Sequence, residues 1–527
     1  MLIDLEKGAP DRLDADVAVI GAGAAGIAIA ARLIERGLHV LLLESGGFDY
    51  EASTASLNAG ENVGEDYYDL ESARLRFFGG TTAIWGGRCA HLDPIDFEKR
   101  AWVPHSGWPF GPEELDPWYR QARAMLGLPL ERARAAPRSG LLAALPADDV
   151  AVHHWEFDHQ FDRFGASRNR SLIAHPRLTV AVHATVREIV ALESGGAVSH
   201  LDVRAPGGKR VEARAKAYVL AAGGIENPRL LLASNSVVRP GLGNRNDLVG
   251  RFFMEHPHGR GGAVKAGAPW QVLTAFSNRH VDGAVVAPLL TPSVALQQRL
   301  GLLNSAVTIA ARPPAGGDHS PLKKAYIHAK HKMAPTALAR SAWKAQRLAT
   351  RKLRQHAGPL IPWWGVSRGK FELALVLRAE QAPSPDSRVT LGSEVDSTGM
   401  PRVKLDWRLN EQDVRTAAEL VRAVGRAFES RNLGKVDVAD WLADEPNGWK
   451  FDPVVSAHPI GGFHHMGTTR MADDPREGVT DGHGRVHGIA NLYVAGSSLF
   501  PTGGWANPTL TILALALRTA ERLTKPA

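Results

Sequence analysis

Three segments of the chain hold residues whose types and spacing suit chemistry. The first is the run from Gly21 through Gly23 to Gly26, with Ala24 and Ala25 between the last two glycines. It follows the apolar stretch Val17 to Ile20 and opens a helix-forming stretch, Ile27 to Arg36, before a second apolar run, Val40 to Leu43, is closed by Glu44. In such a unit the first glycine permits a tight turn, the second lets the backbone approach a pyrophosphate, and the third packs helix against strand. The helix N-terminus favours phosphate charge, and an acidic residue at the end of the next strand accepts hydrogen bonds from ribose hydroxyls. A bare glycine turn would leave Glu44 unexplained, so the segment predicts dinucleotide binding, without a 2′-phosphate.

The second segment runs from Phe77 to Gly87, with Gly79, Gly80, Gly86 and Gly87 around Thr81 and Thr82. Such a loop brings bare backbone against a flat ring system, with Thr81 available as a donor. A nicotinamide cofactor has no need of it, which favours FAD. The third segment is the most specific: His464-His465-Met466-Gly467-Thr468-Thr469-Arg470-Met471, followed by Gly496-Ser497-Ser498 and by Trp505-Ala506-Asn507-Pro508-Thr509 at a helix start. A histidine and an asparagine near a helix N-terminus form a reactive pair, and the positive helix end steadies negative charge on a reduced ring.

These groups need elements to hold them. Strand-then-glycine units recur at Val17 to Ile20, Ala217 to Ala222 and Asn491 to Ala495, which predicts one parallel sheet assembled from distant pieces. Leu373 to Leu377, Arg388 to Leu391 and Val403 to Trp407 read as strands of a separate antiparallel sheet, with a helix over Asn410 to Ser430 across it. The expected fold class is α/β, a discontinuous Rossmann-like FAD-binding domain plus a substrate domain with an antiparallel sheet covered by helices. The expected division gives residues 1–105, 170–262 and 446–527 to the first domain and 106–169 and 263–445 to the second.

Composition narrows the function classes. With 44% hydrophobic and 22% charged residues, the 527-residue chain reads as an ordinary globular protein of two joined domains. No apolar run approaches the roughly 20 residues of a membrane span. Acidic residues near the start argue against a signal peptide, so a cytoplasmic address is expected. The single cysteine, Cys89, excludes an internal disulfide and a CxxC pair. No tight metal-ligand spacing is visible, and no metal is expected. The formal charge of +7 is concentrated between Asp318 and Glu372, where twelve Lys and Arg residues meet no acid, so nucleic-acid binding is not expected. Within that stretch Lys344, Arg347, Arg351 and Arg354 share one helix face. A solvated helix, a lid attracting an anionic substrate, and a membrane or protein docking surface over residues 323–354 all fit it.

The chain resembles the glucose–methanol–choline (GMC) family of flavin oxidoreductases over nearly its whole length. The resemblance rests on the first glycine unit with Glu44, the Gly79–Gly87 loop, the Leu220–Arg229 segment, the His464 box and the helix after Asn507. It is nearest to the branch of pyranose oxidases and bacterial sugar, glycoside and aminoglycoside dehydrogenases. The resemblance implies FAD held by Gly21, Gly23, Ala24, Ala25, Gly26, Glu44, Gly80, Thr81, Gly86, Val186, Ala222, Gly496 and Thr509. It implies His464 and Asn507 as the catalytic pair, with His464 as the base and hydride passing to flavin N5 from an alcohol, most specifically a secondary hydroxyl of a sugar, glycoside, aminoglycoside or cyclitol. Covalent relatives carry a histidine where this chain has Ile84, so non-covalent FAD is expected. The electron acceptor is oxygen or another redox carrier. A non-redox lyase of the same family, and a membrane-associated dehydrogenase subunit serving a cytochrome, stay open as alternatives.

Overall fold

The structure is a computed structural model that describes all residues except 9, 133–139, 161, 317–333, 444–447, 457 and 526–527, with no side chain described at 354–356. Its centre is a mixed sheet in the order Leu2–Asp4, Leu178–Val182, Val40–Leu43, Arg12–Ile20, Arg210–Leu220, Val198–Arg204 and Thr185–Ala191. The first five run parallel to their neighbours. The last two turn back antiparallel. Opposite Arg12–Ile20, strand Arg210–Leu220 serves two partners on its other edge: Arg210 to Ala213 pair with Val198–Arg204, and Tyr218 to Leu220 pair in parallel with Leu492–Val494. The three distant glycine-ended strands thus lie side by side. Their all-apolar ends are buried on both faces, as parallel strands require. Helices Ala24–Glu35 and Thr509–Leu523 pack together behind the sheet, where Arg32 and Arg36 both reach Glu521.

The second sheet is antiparallel throughout, in the order Lys435–Val438, His258–Lys265, Glu372–Arg378, Ala306–Arg312, Ala284–Pro292, Val150–Phe157 and Arg88–Cys89, with Arg279–Val281 paired to Ala284–Pro292. Helix Glu411–Glu429 crosses it, capped at Asn410 by a reciprocal pair with Asp413, and buries Val414, Leu420, Val421, Val424 and Phe428 in a core with Leu290, Val307, Leu373, Leu375 and Leu377.

Two expectations need correction. Arg388–Val395 and Pro401–Asp406 do not join the large antiparallel sheet but form a three-stranded sheet with Gly60–Asn62. Their apolar residues Val389, Val403 and Leu405 pack with Ile225, Phe253 and Trp407 in a core of their own, which alternation alone does not reveal. The boundary placed at 262 also falls inside strand His258–Lys265, which belongs to the second sheet. Among the described residues no helix is long and apolar enough to cross a membrane.

Candidate active site

The first glycine unit folds as its residue types require. Gly21 has φ +103°, and a Cβ on Gly26 would stand 1.9 Å from the Gly21 carbonyl oxygen, so the turn and the helix contact both exclude side chains. A Cβ on Gly23 would meet no protein atom and would instead project into a cleft. Glu44, 6% exposed, ends the neighbouring strand, and its carboxylate accepts the N–H of Ala22 at 2.9 Å and of Gly46 at 3.2 Å. Burial raises its pKa against the pull of those two donors.

The cleft is partly open and holds a cavity of about 240 Å³. Of the residues singled out in the sequence, Gly21, Gly23, Ala24, Ala25, Glu44, Gly80, Thr81, Val186, Ala222 and Gly496 line it. The Thr81 hydroxyl accepts the Leu75 N–H at 3.1 Å, which leaves its own proton to give. Gly26 lies behind the turn, Gly86 is exposed near Arg88, and Thr509 begins the helix whose Ile512 reaches the cleft. A bare-backbone cradle and a fixed carboxylate fit a dinucleotide.

Sequence reasoning missed the polar wall of this cleft. Arg74 and Arg76 both pair with Glu226, at 2.6 and 2.5 Å, and Arg229 joins Glu226 to Asp396. Burial opposes the Glu226 charge, but Arg76, Arg229 and Arg74 outweigh it and hold the carboxyl far below its usual range. These residues are scattered over more than 300 positions, and although Glu226 and Arg229 lie in the Leu220–Arg229 segment, nothing local pairs them with Arg74, Arg76 or Asp396.

His464 and Asn507 meet, with Asn507 Nδ2 3.2 Å from His464 Nε2. The other His464 nitrogen, Nδ1, lies 2.8 Å from His256 Nδ1, and His256 Nε2 lies 2.8 Å from the Gly504 carbonyl. A carbonyl can only accept, so His256 carries its proton on Nε2 and its Nδ1 is an acceptor. His464 therefore carries its proton on Nδ1, and its Nε2 keeps the lone pair facing Asn507. Burial pushes the His464 pKa well below the usual value and that of His256 down to about 4, so both rings are neutral at pH 7.

Glu255 sets the loop that presents His464. Its carboxylate accepts the N–H groups of His256, Gly462 and His464, and the Tyr67 hydroxyl at 2.7 Å. Burial raises Glu255 to about 7 despite these donors. His465, by contrast, lines the large cleft, and its Nε2 sits 2.9 Å from Tyr67 Oη. Because Tyr67 gives its own proton to Glu255, His465 Nε2 is the donor there.

The basic helix is not simply solvated. In Ala337–Ala357, Arg340 pairs with Asp49 at 2.7 Å and lies 4.7 Å from the Phe77 ring centroid, and Lys344 pairs with Asp162. Arg347 donates to the carbonyls of Trp85 and Ile84 at 2.7 and 3.3 Å. The helix thus straps the glycine-rich loop through its cations. Lys323, Lys324, Lys330 and Lys332 lie outside the described residues. Asp4, Glu6 and His183 bring potential metal-ligating atoms within 4.8 Å of one another, at the sheet edge away from the His464 pair.

Residues 16–244 match the family model for FAD dependent oxidoreductases, and residues 383–516 match that for GMC oxidoreductases. The chain is 27% identical to the paromamine 6'-oxidase of Streptomyces fradiae, over 96% of this chain and 90% of that one. It is 26% identical to the C-glycoside 3-oxidase of Microbacterium trichothecenolyticum, over 84% and 74%. Its fold matches the crystal structure of pyridoxine 4-oxidase from Mesorbium loti with a TM-score of 0.54 and 17% identity, over 96% of this chain and 98% of that one. With the glycine turn, the fixed acid and the histidine box in place, the chain carries an FAD dependent oxidoreductase domain and a GMC oxidoreductase C-terminal domain.

Proposed function

We propose that the protein oxidises a hydroxyl of a sugar-like polyol to a carbonyl, with His464 as the base and Asn507 as its partner. The observation that carries this reading is the chain from the Gly504 carbonyl through His256 to His464, which leaves His464 Nε2 unprotonated beside the Asn507 amide. A hydroxyl placed between them gives its proton to Nε2 while Asn507 Nδ2 donates to the oxygen. A positioned base of this kind contributes roughly 10²–10⁴-fold to rate. When bound, FAD supplies the two-electron acceptor. The name of a relative that oxidises C-glycosides supports the sugar-like substrate class.

In this reading FAD is held without a covalent bond by Gly21, Gly23, Ala24, Ala25, Glu44, Gly80, Thr81, Val186, Ala222 and Gly496, with the helix from Thr509 behind it. The parallel sheet is the FAD-binding domain and the antiparallel sheet the wall of the substrate chamber. The boundary moves from 262 to 257 so that strand His258–Lys265 stays whole.

The test is a pair of adjacent variants. His464→Ala should retain bound FAD and lose turnover by on the order of 10²-fold or more, whereas His465→Ala should keep most of it. Near-normal flavin reduction by His464→Ala together with an inactive His465→Ala would shift the assignment by one residue.

A further inference from the structure

One cation beside the catalytic pair has no part in the chemistry described so far. Arg378 ends strand Glu372–Arg378, between His258 on one neighbouring strand and Ala306 on the other. Its guanidinium lies 5.3 Å from the Trp155 ring centroid. Trp155 in turn lies 6.3 Å from Trp505, two residues before Asn507. Arg88 stacks on the same indole at 5.4 Å. The Arg378 NH1 is 3.3 Å from His258 Nε2, whose ring gives its Nδ1 proton to the His458 carbonyl at 2.6 Å. This contact occupies one edge of the guanidinium with a neutral acceptor.

Among the described residues no carboxylate pairs with Arg378, and its buried Nε–H meets no acceptor. The buried acids of the same region are committed elsewhere. Glu380 holds Arg100 at 2.7 Å, and Glu255 holds the backbone of the His464 loop. Burial, with Arg88 and Arg312 nearby, depresses the Arg378 pKa well below the ordinary guanidinium value. The same positive field reaches His464, His256 and His258. A desolvated cation among like charges is costly to fold around unless an opposite charge arrives to meet it.

We propose that Arg378 receives an anionic group of the substrate, so that the polyol oxidised at His464 is an acidic sugar carrying a carboxylate or a phosphate. This inference names the substrate class of the reading given above and rests on it. Guanidinium groups bind both anions through paired N–H donors. The same field repels an amino sugar.

Calorimetric titration of the FAD-loaded enzyme with glucose, glucosamine, glucuronate and glucose 6-phosphate tests it. Glucuronate or glucose 6-phosphate should bind about tenfold or more tighter than glucose, since a charge-assisted contact is added, and glucosamine should bind weakest. The better of the two acids tells carboxylate from phosphate. Arg378→Met should erase the preference at unchanged FAD content, and Arg378→Lys should restore part of it. In the unaltered enzyme inorganic phosphate should compete with the acidic sugar, a readout that needs no variant. Equal binding of glucose and both acids, a preference that survives Arg378→Met, or no competition by phosphate overturns the assignment. Selective binding of an acid with no flavin reduction by any sugar leaves Arg378 in place and removes the oxidation reading instead. Flavin reduction by glucose with no acid preference does the reverse.

Discussion

Replacing His256 with leucine removes the acceptor that holds the His464 Nδ1 proton and leaves a side chain of similar bulk. His256 is 2% exposed and hydrogen-bonded on both nitrogens, so no water stands ready to replace it. In the resting enzyme the lost bond is one between neutral rings, worth about 0.5–1.5 kcal/mol. Once His464 has taken a proton the same bond joins a charged donor to a neutral acceptor and is worth about 1.5–3 kcal/mol. The loss at the transition state exceeds that in the resting enzyme by about 1–1.5 kcal/mol, which corresponds to roughly a 5- to 10-fold slower proton abstraction. Anaerobic stopped-flow reduction of the flavin at saturating substrate measures it directly. His256→Asn, whose side-chain oxygen can accept the same proton, should recover part of the rate. Imidazole ¹⁵N chemical shifts should show His464 protonated on Nδ1 in the unaltered enzyme and a mixture of forms in His256→Leu. A His256→Leu enzyme that reduces flavin at the normal rate while His464→Ala does not would refute the relay, because His464 would then hold its tautomer without help.

Three other outcomes follow from the geometry. Glu44→Ala should weaken FAD binding by about 1.5–3 kcal/mol, the worth of hydrogen bonds to a charged acceptor, measured as the FAD dissociation constant; unchanged affinity would remove Glu44 from the site. Acid precipitation should release intact FAD into the supernatant, since Ile84 cannot bond to the ring, and colour retained by the washed polypeptide would contradict non-covalent binding. The buried Glu255 has a folded pKa of about 7, above its reference value of 4.5. The folded state therefore binds an extra proton between those values, and this stabilisation is present below about pH 4.5 and is lost as pH rises through 7. The shift corresponds to about 3 kcal/mol, so Glu255→Gln should flatten the fall in melting temperature between pH 5 and 7; an unaltered slope would assign the proton elsewhere.

Much of the cofactor cleft was legible in the chain because its chemistry is local. Gly21, Gly23, Gly26 and Glu44 sit within one strand–turn–helix–strand unit, where conformational freedom and a single acid announce themselves by spacing. The same holds for helix Glu411–Glu429 with its Asn410 cap, and for the strands ending at Leu220 and Val494. The bare residue types of the His464 box and of Asn507 suggested a pair, but 43 positions separate them, and only tertiary packing, with Glu255 holding the His464 loop, brings them to 3.2 Å.

What remained hidden depends on distances that no short stretch of sequence encodes. The role of His256 appears only because the Gly504 carbonyl, 248 residues away, fixes its proton. For Arg347 a solvated face, a lid and a docking surface all fitted the sequence, and only the fold places it against the carbonyls of Ile84 and Trp85. Arg378 had no local signature at all, since an arginine at a strand end is usually a solvated charge. Burial beside Trp155 and the lack of a carboxylate partner among the described residues are properties of assembled sheets. The sequence by itself pointed to an FAD-dependent oxidoreductase and to the residues proposed to react, because their motifs are local. The tertiary structure decided which nitrogen carries a proton and which charge is left to meet a ligand, because both follow from burial and from partners distant in the chain.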